Sequence, residues 1–167
     1  MRRIVTPPDS ARSADGAGQE AHFRALESLY AAAPVNSLFE SRLEIVEAGH
    51  ARISFTASER YFHAAGATHG TLYFKMLDDA AFYAANSLVS DRFLLTTGFN
   101  LHFTKPLKKG RVTAEGRWIS GKRRVFIAEA HLMDEEGDEI GRGTGTFMRS
   151  HIALSGLDGY RLPARLP

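Results

Sequence analysis

Gly66-Ala67-Thr68-His69-Gly70-Thr71-Leu72-Tyr73-Phe74-Lys75-Met76-Leu77-Asp78-Asp79-Ala80-Ala81 is the stretch on which the fold turns. A loop holding two glycines and a histidine runs directly into a long, mostly apolar helix, expected from about Gly70 to Leu88. Two adjacent aspartates sit in its middle. Acids within an apolar helix are costly unless they face water, find partners or do chemistry. The helix start also offers free backbone N–H groups and a positive dipole end, a suitable place for developing negative charge. A stored carboxylate and an anion-friendly helix start within one element point to a hydrolytic site.

At about 100° per residue, Lys75, Asp78, Asp79, Phe82 and Asn86 share one stripe of this helix. The remaining faces carry Leu72, Tyr73, Phe74, Met76, Leu77, Ala80, Ala81, Tyr83, Ala84 and Leu88. The stripe reads in two ways. It is a solvent face, with Lys75 paired to Asp79 one turn on, or it faces a partner subunit or a substrate slot. Periodicity alone does not choose.

Outward from the helix, the chain reads as a single domain. Residues 1–18, rich in Pro, Gly, Ser and charge, are expected to be a mobile tail. A helix is expected over 19–33, stopped by Pro34. Arg42–Val46 and Ala51–Ala57 read as a hairpin about Ala48-Gly49-His50. Beyond the long helix, Phe99, Leu101 and Phe103 alternate with polar residues as in a half-buried strand. Strands 112–120, 124–133 and 139–149 follow, and residues 151–167 form a C-terminal tail. The order of helix, two strands, long helix and four strands predicts an α+β domain over 19–150 with an antiparallel sheet.

Composition excludes several function classes. The 167 residues include no cysteine, so disulfides, thiolate metal sites and a Cys nucleophile are ruled out. The formal charge of +2 is too small to argue for nucleic acid. No apolar run approaches a membrane span, and Met1-Arg2-Arg3 leads into no apolar segment, so a cytoplasmic setting is expected. The seven histidines lack metal-ligand spacing. No metal or cofactor is expected. Gly141-Arg142-Gly143-Thr144-Gly145 precedes no helix and is not a dinucleotide loop.

The segment 66–87 resembles the hotdog-fold acyl-CoA thioesterases of the phenylacetate-pathway (PaaI-like) group. Those proteins carry His-Gly-Gly and an Asp nine residues after the His. Here His69-Gly70-Thr71 and Met76-Leu77-Asp78-Asp79-Ala80 keep that spacing. Tyr83-Ala84-Ala85-Asn86-Ser87 resembles the family's helix end, and Lys105-Pro106 its strand end. There are two departures: Thr71 replaces the second glycine, and His63 stands where the family often has Asn.

The resemblance implies a sheet wrapped around one long helix, an acyl-CoA substrate and a homodimer, with a dimer of dimers as a further step. Gly70 and Asp78 lie about 12 Å apart along a helix. One thioester carbon therefore cannot touch both from a single chain, and the site is expected to span two subunits. Its catalytic set is expected to be the Gly70 N–H as oxyanion donor and Asp78 as general base or nucleophile. Thr96 is expected to place the water, His63 to stand in for the Asn, and His69 to position the loop. Thr71, Asp79, Phe82, Lys105, Arg123 and Arg124 are expected to meet substrate, the cations through CoA phosphates. The competing reading is a non-catalytic acyl-CoA binding module on the same fold, with His63 and Thr71 marking lost chemistry. A hydratase of the same fold ranks last, because its His–acid pattern is missing.

Overall fold

The computed structural model describes residues 9–162. Helix α1 spans Asp9–Ala32 and α2 spans Pro34–Phe39. Strands β1 (Arg42–Glu47) and β2 (His50–Ala57) precede helix α3 (Gly70–Asn86). Strands β3 (Arg92–Phe103), β4 (Gly110–Ser120), β5 (Val125–Met133) and β6 (Glu139–Ala153) complete the chain. The six strands form one antiparallel sheet in the order β1-β2-β4-β5-β6-β3. Helix α3 packs against all six, giving the α+β arrangement that the resemblance implies.

Three boundaries differ from expectation. Residues 9–18, expected in the tail, are the first turns of α1, and residues 1–8 lie outside the described residues. Pro34 does end α1, but it also starts α2, occupying a first-turn position where its missing N–H costs nothing. Glu40, at φ 54° in the left-handed region, closes α2 with its N–H on the Asn36 carbonyl. The last strand runs past Arg149 to Ala153, crossing the expected edge of the domain. Beyond it, Leu154 and Tyr160 are buried, and His22 Nδ1 lies 2.7 Å from the Tyr160 hydroxyl. The tail as far as residue 162 therefore straps α1; residues 163–167 lie outside the described residues.

The core lies between α3 and the concave sheet face. Ala80, Ala81, Ala84 and Ala85 are fully buried, so the helix backbone itself meets the sheet. Gly116 on β4 makes this possible: a Cβ there would lie 2.0 Å from the Ala80 carbonyl oxygen. The close approach fixes the height of α3 above the sheet, and with it the height of Asp78. Gly116→Ala is expected to cost about 3 kcal/mol, because the obstacle is backbone that cannot repack. Chemical denaturation against wild type measures this, and an unchanged midpoint would contradict the packing argument.

Candidate active site

The loop before α3 is pinned from below. Thr68 donates its N–H to the Leu107 carbonyl (2.7 Å) and its hydroxyl to the Lys108 carbonyl (2.8 Å). His69 is the N-cap: its Nδ1 accepts the Thr71 N–H at 3.1 Å and lies 3.0 Å from the Thr71 hydroxyl. Both residues thus hold the helix start in place, the loop-positioning role expected of His69. Among the described residues, no group accepts from the Gly70 N–H. This donor sits at a cavity of about 360 Å³ lined by His63, Gly70, Tyr73, Phe103 and Pro106. A Cβ at position 70 would lie 2.9 Å from the Phe103 ring, so glycine keeps this approach open. His63 is exposed, and its Nδ1 accepts the Ala65 N–H at 3.1 Å.

Two turns along α3, Asp78 opens into a second cavity of about 280 Å³, lined also by Tyr30, Asn36, Lys75, Asp79, Phe82 and Thr96. The Thr96 hydroxyl donates to Asp78 Oδ1 at 3.0 Å, so the structure brings these two expected residues together. Burial is the main cause that raises the Asp78 pKa from 3.8 to about 6. The Asp79 charge adds to the rise, while Thr96 and Lys75 oppose it. Asp78 is therefore a carboxylate poised to take a proton near neutral pH, as a general base requires.

Asp79 faces the other way. It accepts from Lys75 Nζ and from the Tyr30 hydroxyl (3.1 Å), while Tyr30 meets Ser41 at 2.6 Å. Lys75 Nζ also donates to Asn36 Oδ1 at 2.6 Å. Burial pushes Asp79 up, and Lys75 and Tyr30 pull it back. The expected Lys75–Asp79 pair is present, but with side chains only 13% and 19% exposed it lies in a cavity wall rather than on a solvent face. Tyr30 and Asn36, from α1 and α2, were not foreseen, since nothing in their spacing ties them to α3.

The other expected residues separate. Phe82 is buried against Tyr83, Phe93 and Phe147 and lines the Asp78 cavity. Asn86 is fully buried rather than part of an open seam. Its side chain donates to the Val89 and Arg92 carbonyls and accepts the Leu94 N–H, splicing the helix end to β3 and thereby placing Thr96. Thr71 is exposed beside His69. Lys105 lines the Gly70 cavity, and its ammonium donates to Asp134 and Asp138, each at 2.8 Å. Arg123 and Arg124 stand exposed on the β4–β5 turn and line neither cavity. The two cavities share no lining residue, so within one chain the Gly70 donor and the Asp78 base face different spaces.

Residues 65–140 match the family model of the thioesterase superfamily, and this segment contains Gly70, Asp78 and Thr96. The chain has the hotdog fold, and its central segment resembles the thioesterase superfamily. A Saccharolobus solfataricus protein named only as an esterase is 29% identical over 105 residues, covering 63% of this chain and 70% of the relative. The Escherichia coli PaaI protein from the phenylacetic acid degradation operon superposes with a TM-score of 0.74 at 14% identity, covering 81% of this chain and 97% of that one. A thioesterase from Haemophilus influenzae gives a TM-score of 0.68 at 15% identity, covering 75% and 87%. At such identities these two likenesses show the fold alone.

Two substitutions separate the neighbouring acids. Because the folded value of Asp78, about 6, exceeds the ordinary 3.8, its ionised form weighs against the fold. That cost is absent below about pH 4 and fully present above about pH 7. Asp78→Asn is therefore expected to be more stable than wild type at pH 8 and no more stable at pH 4. Asp79→Asn leaves the buried Lys75 charge unpaired and is expected to lose roughly 3 kcal/mol. Thermal melts at the two pH values check both.

Proposed function

We propose that this protein hydrolyses acyl-CoA thioesters, with Asp78 as the base or nucleophile and the Gly70 N–H of a second subunit as the oxyanion donor. The observation that carries this reading is the division of the chemistry. A desolvated carboxylate with its hydroxyl partner opens on one cavity, and an unused helix N-terminal donor opens on another.

Pairing two chains joins the halves. Strand β3 is a sheet edge bonded only to β6, so its outer side is free to take a second strand. Thr96, beside Asp78, and Phe103, beside Gly70, lie seven residues apart on it, roughly 24 Å. Antiparallel pairing of two such edges about Phe99 and Asn100 sets Thr96 of each chain opposite the other chain's Phe103. The Asp78 cavity of one subunit then meets the Gly70 cavity of the other. Phe74, Leu95 and Phe103, which are 42%, 46% and 59% exposed, supply apolar surface on or beside that edge. Two such dimers pairing further belongs to the same reading.

In the reaction, the thioester oxygen rests on the Gly70 N–H, where the α3 dipole favours the developing charge. Asp78 takes a proton from water as the water attacks, or attacks the carbonyl itself; Thr96 orients the carboxylate in either case. On the general-base route the tetrahedral intermediate collapses to the free acid, and the proton taken by Asp78 passes to the departing CoA thiolate. On the nucleophilic route collapse expels the thiolate and leaves an Asp78 anhydride, which water then hydrolyses to the free acid. Arg123 and Arg124 reach toward the CoA phosphates, and His63 lines the channel to the oxyanion donor. No helix among the described residues is long and apolar enough to cross a membrane, and a cytoplasmic setting is part of this reading.

The test is thiol release from a panel of acyl-CoAs. Wild type is expected to show kcat/KM rising with pH through about 6 as Asp78 ionises. Asp78→Asn is expected to lose about a thousandfold, while Asp79→Asn at a permissive temperature keeps turnover. Binding of acyl-CoA without release by wild type would establish the binding module instead. The shared site has its own check. Gly70→Pro removes the N–H at a first-turn position whose backbone accepts proline, at the cost of displacing the Phe103 ring. It and Asp78→Asn, once each is shown to fold by its circular dichroism, are each expected to be inactive. Refolded together they are expected to regain activity, since half the sites in a mixed dimer carry neither change. No recovery on mixing would place the site within one chain.

A further inference from the structure

The wall of the Asp78 cavity is not uniformly apolar. Phe82, Phe93 and Leu94 line part of it, while Tyr30, Asn36, Lys75 and Asp79 line another. These four are bonded to one another through the Lys75 ammonium and the Tyr30 hydroxyl, and they come from three different helices. An ammonium carries three N–H donors. Asn36 and Asp79 take two, and among the described residues no acceptor takes the third. The aromatic rings of Tyr30 and Phe39, at 5.2 and 5.6 Å, hold the ammonium in place without accepting a conventional hydrogen bond.

We propose that this cluster is a recognition site for an oxygen on the acyl group. The protein, on this inference, selects short acyl thioesters bearing a neutral keto oxygen about five bonds from the thioester carbon. The inference rests on the acyl-CoA reading above. Lys75 lies three residues before Asp78 on the same helix, so their Cβ atoms are about 5–6 Å apart. A substrate with its thioester carbon at Asp78 therefore presents to Lys75 an atom about five bonds away. Neutral oxygen is favoured over carboxylate for an electrostatic reason. The Lys75 charge is already balanced by Asp79, and a terminal carboxylate would meet both Asp78 and Asp79 without a spare cation. Lys75 is thus a specificity-determining residue, set apart from the bond-breaking groups Asp78 and Gly70.

Three CoA thioesters of matched size decide the matter: 5-oxohexanoyl, 5-methylhexanoyl and adipoyl. Wild type is expected to prefer the keto over the methyl compound by about tenfold in kcat/KM, the value of one charged hydrogen bond against none. Adipoyl-CoA is expected to react slowest. Lys75→Met is expected to collapse the keto-to-methyl ratio to about one, and Lys75→Arg to retain part of it. Because Lys75→Met strips Asp79 of its partner, the wild-type ratio stands as a measurement in its own right. Equal kcat/KM for the keto and methyl compounds in wild type would overturn the recognition site and leave the acyl-CoA thioesterase intact. Release of no thiol from any of the three, or from the wider panel, would overturn both.

Discussion

Helix α3 meets the sheet backbone to backbone at Ala80 and Gly116, and everything else in the protein is arranged around that contact. With no side chain between them, helix and sheet come closer than ordinary packing allows, and six strands curl over 17 helical residues. A helix so enclosed has almost no face left for water. Any acid on it is desolvated, which raises the Asp78 pKa and gives it the character of a base. The raised pKa thus follows from the packing, with the neighbouring Asp79 charge adding to it. The single hydrogen bond from Thr96 opposes the shift, and its contribution is one of orientation.

The same enclosure explains why two adjacent acids have opposite fates. Successive residues on a helix point about 100° apart. Asp78 is directed toward β3, where the Thr96 hydroxyl donates to it. Asp79 is directed toward α1 and α2, where Lys75, Tyr30 and Asn36 neutralise it and bind it into the wall. One is left uncompensated at a cavity and the other is built into the structure. Their separation was visible in part from Lys75 standing four residues before Asp79.

What the sequence revealed followed from strong local patterns. The extent of α3, its capped start at His69 and the β4, β5 and β6 strands are written in periodicity, glycines and turns. Strand β3 was harder to see. Its first half, from Arg92, does not alternate, because Phe93-Leu94-Leu95 is a continuous apolar run and irregularities lie at 92–94 and 96–98. That hidden half of β3 covers Phe82 and Asn86, which is why a stripe with two readings proved to be cavity and core rather than solvent face. Helix α2 is too short for a period and depends on a tertiary bond, Asn36 Nδ2 to the Tyr30 carbonyl at 2.6 Å. The first turns of α1, with Gly16 and Gly18, carry no amphipathic signal. The acids that meet Lys105 lie about thirty residues downstream, across a hairpin visible only in the fold.

A division of labour along the chain emerges from these placements. Gly70, Asp78 and Thr96 all lie within residues 65–140, the segment matched by the superfamily. Tyr30 and Asn36 lie outside it, on helices that pack over the open side of α3. Chemistry that requires a buried carboxylate and a helix N-terminus is supplied by the shared core, whose geometry is held by the helix–sheet contact. Part of the Asp78 cavity wall is supplied by a segment under no such constraint, because α1 and α2 contribute no strand to the sheet. Changes there alter what the cavity contacts without moving Asp78. On the acyl-CoA reading proposed above, a fold organised in this way keeps one reaction while the segment before residue 41 sets which acyl group reaches it.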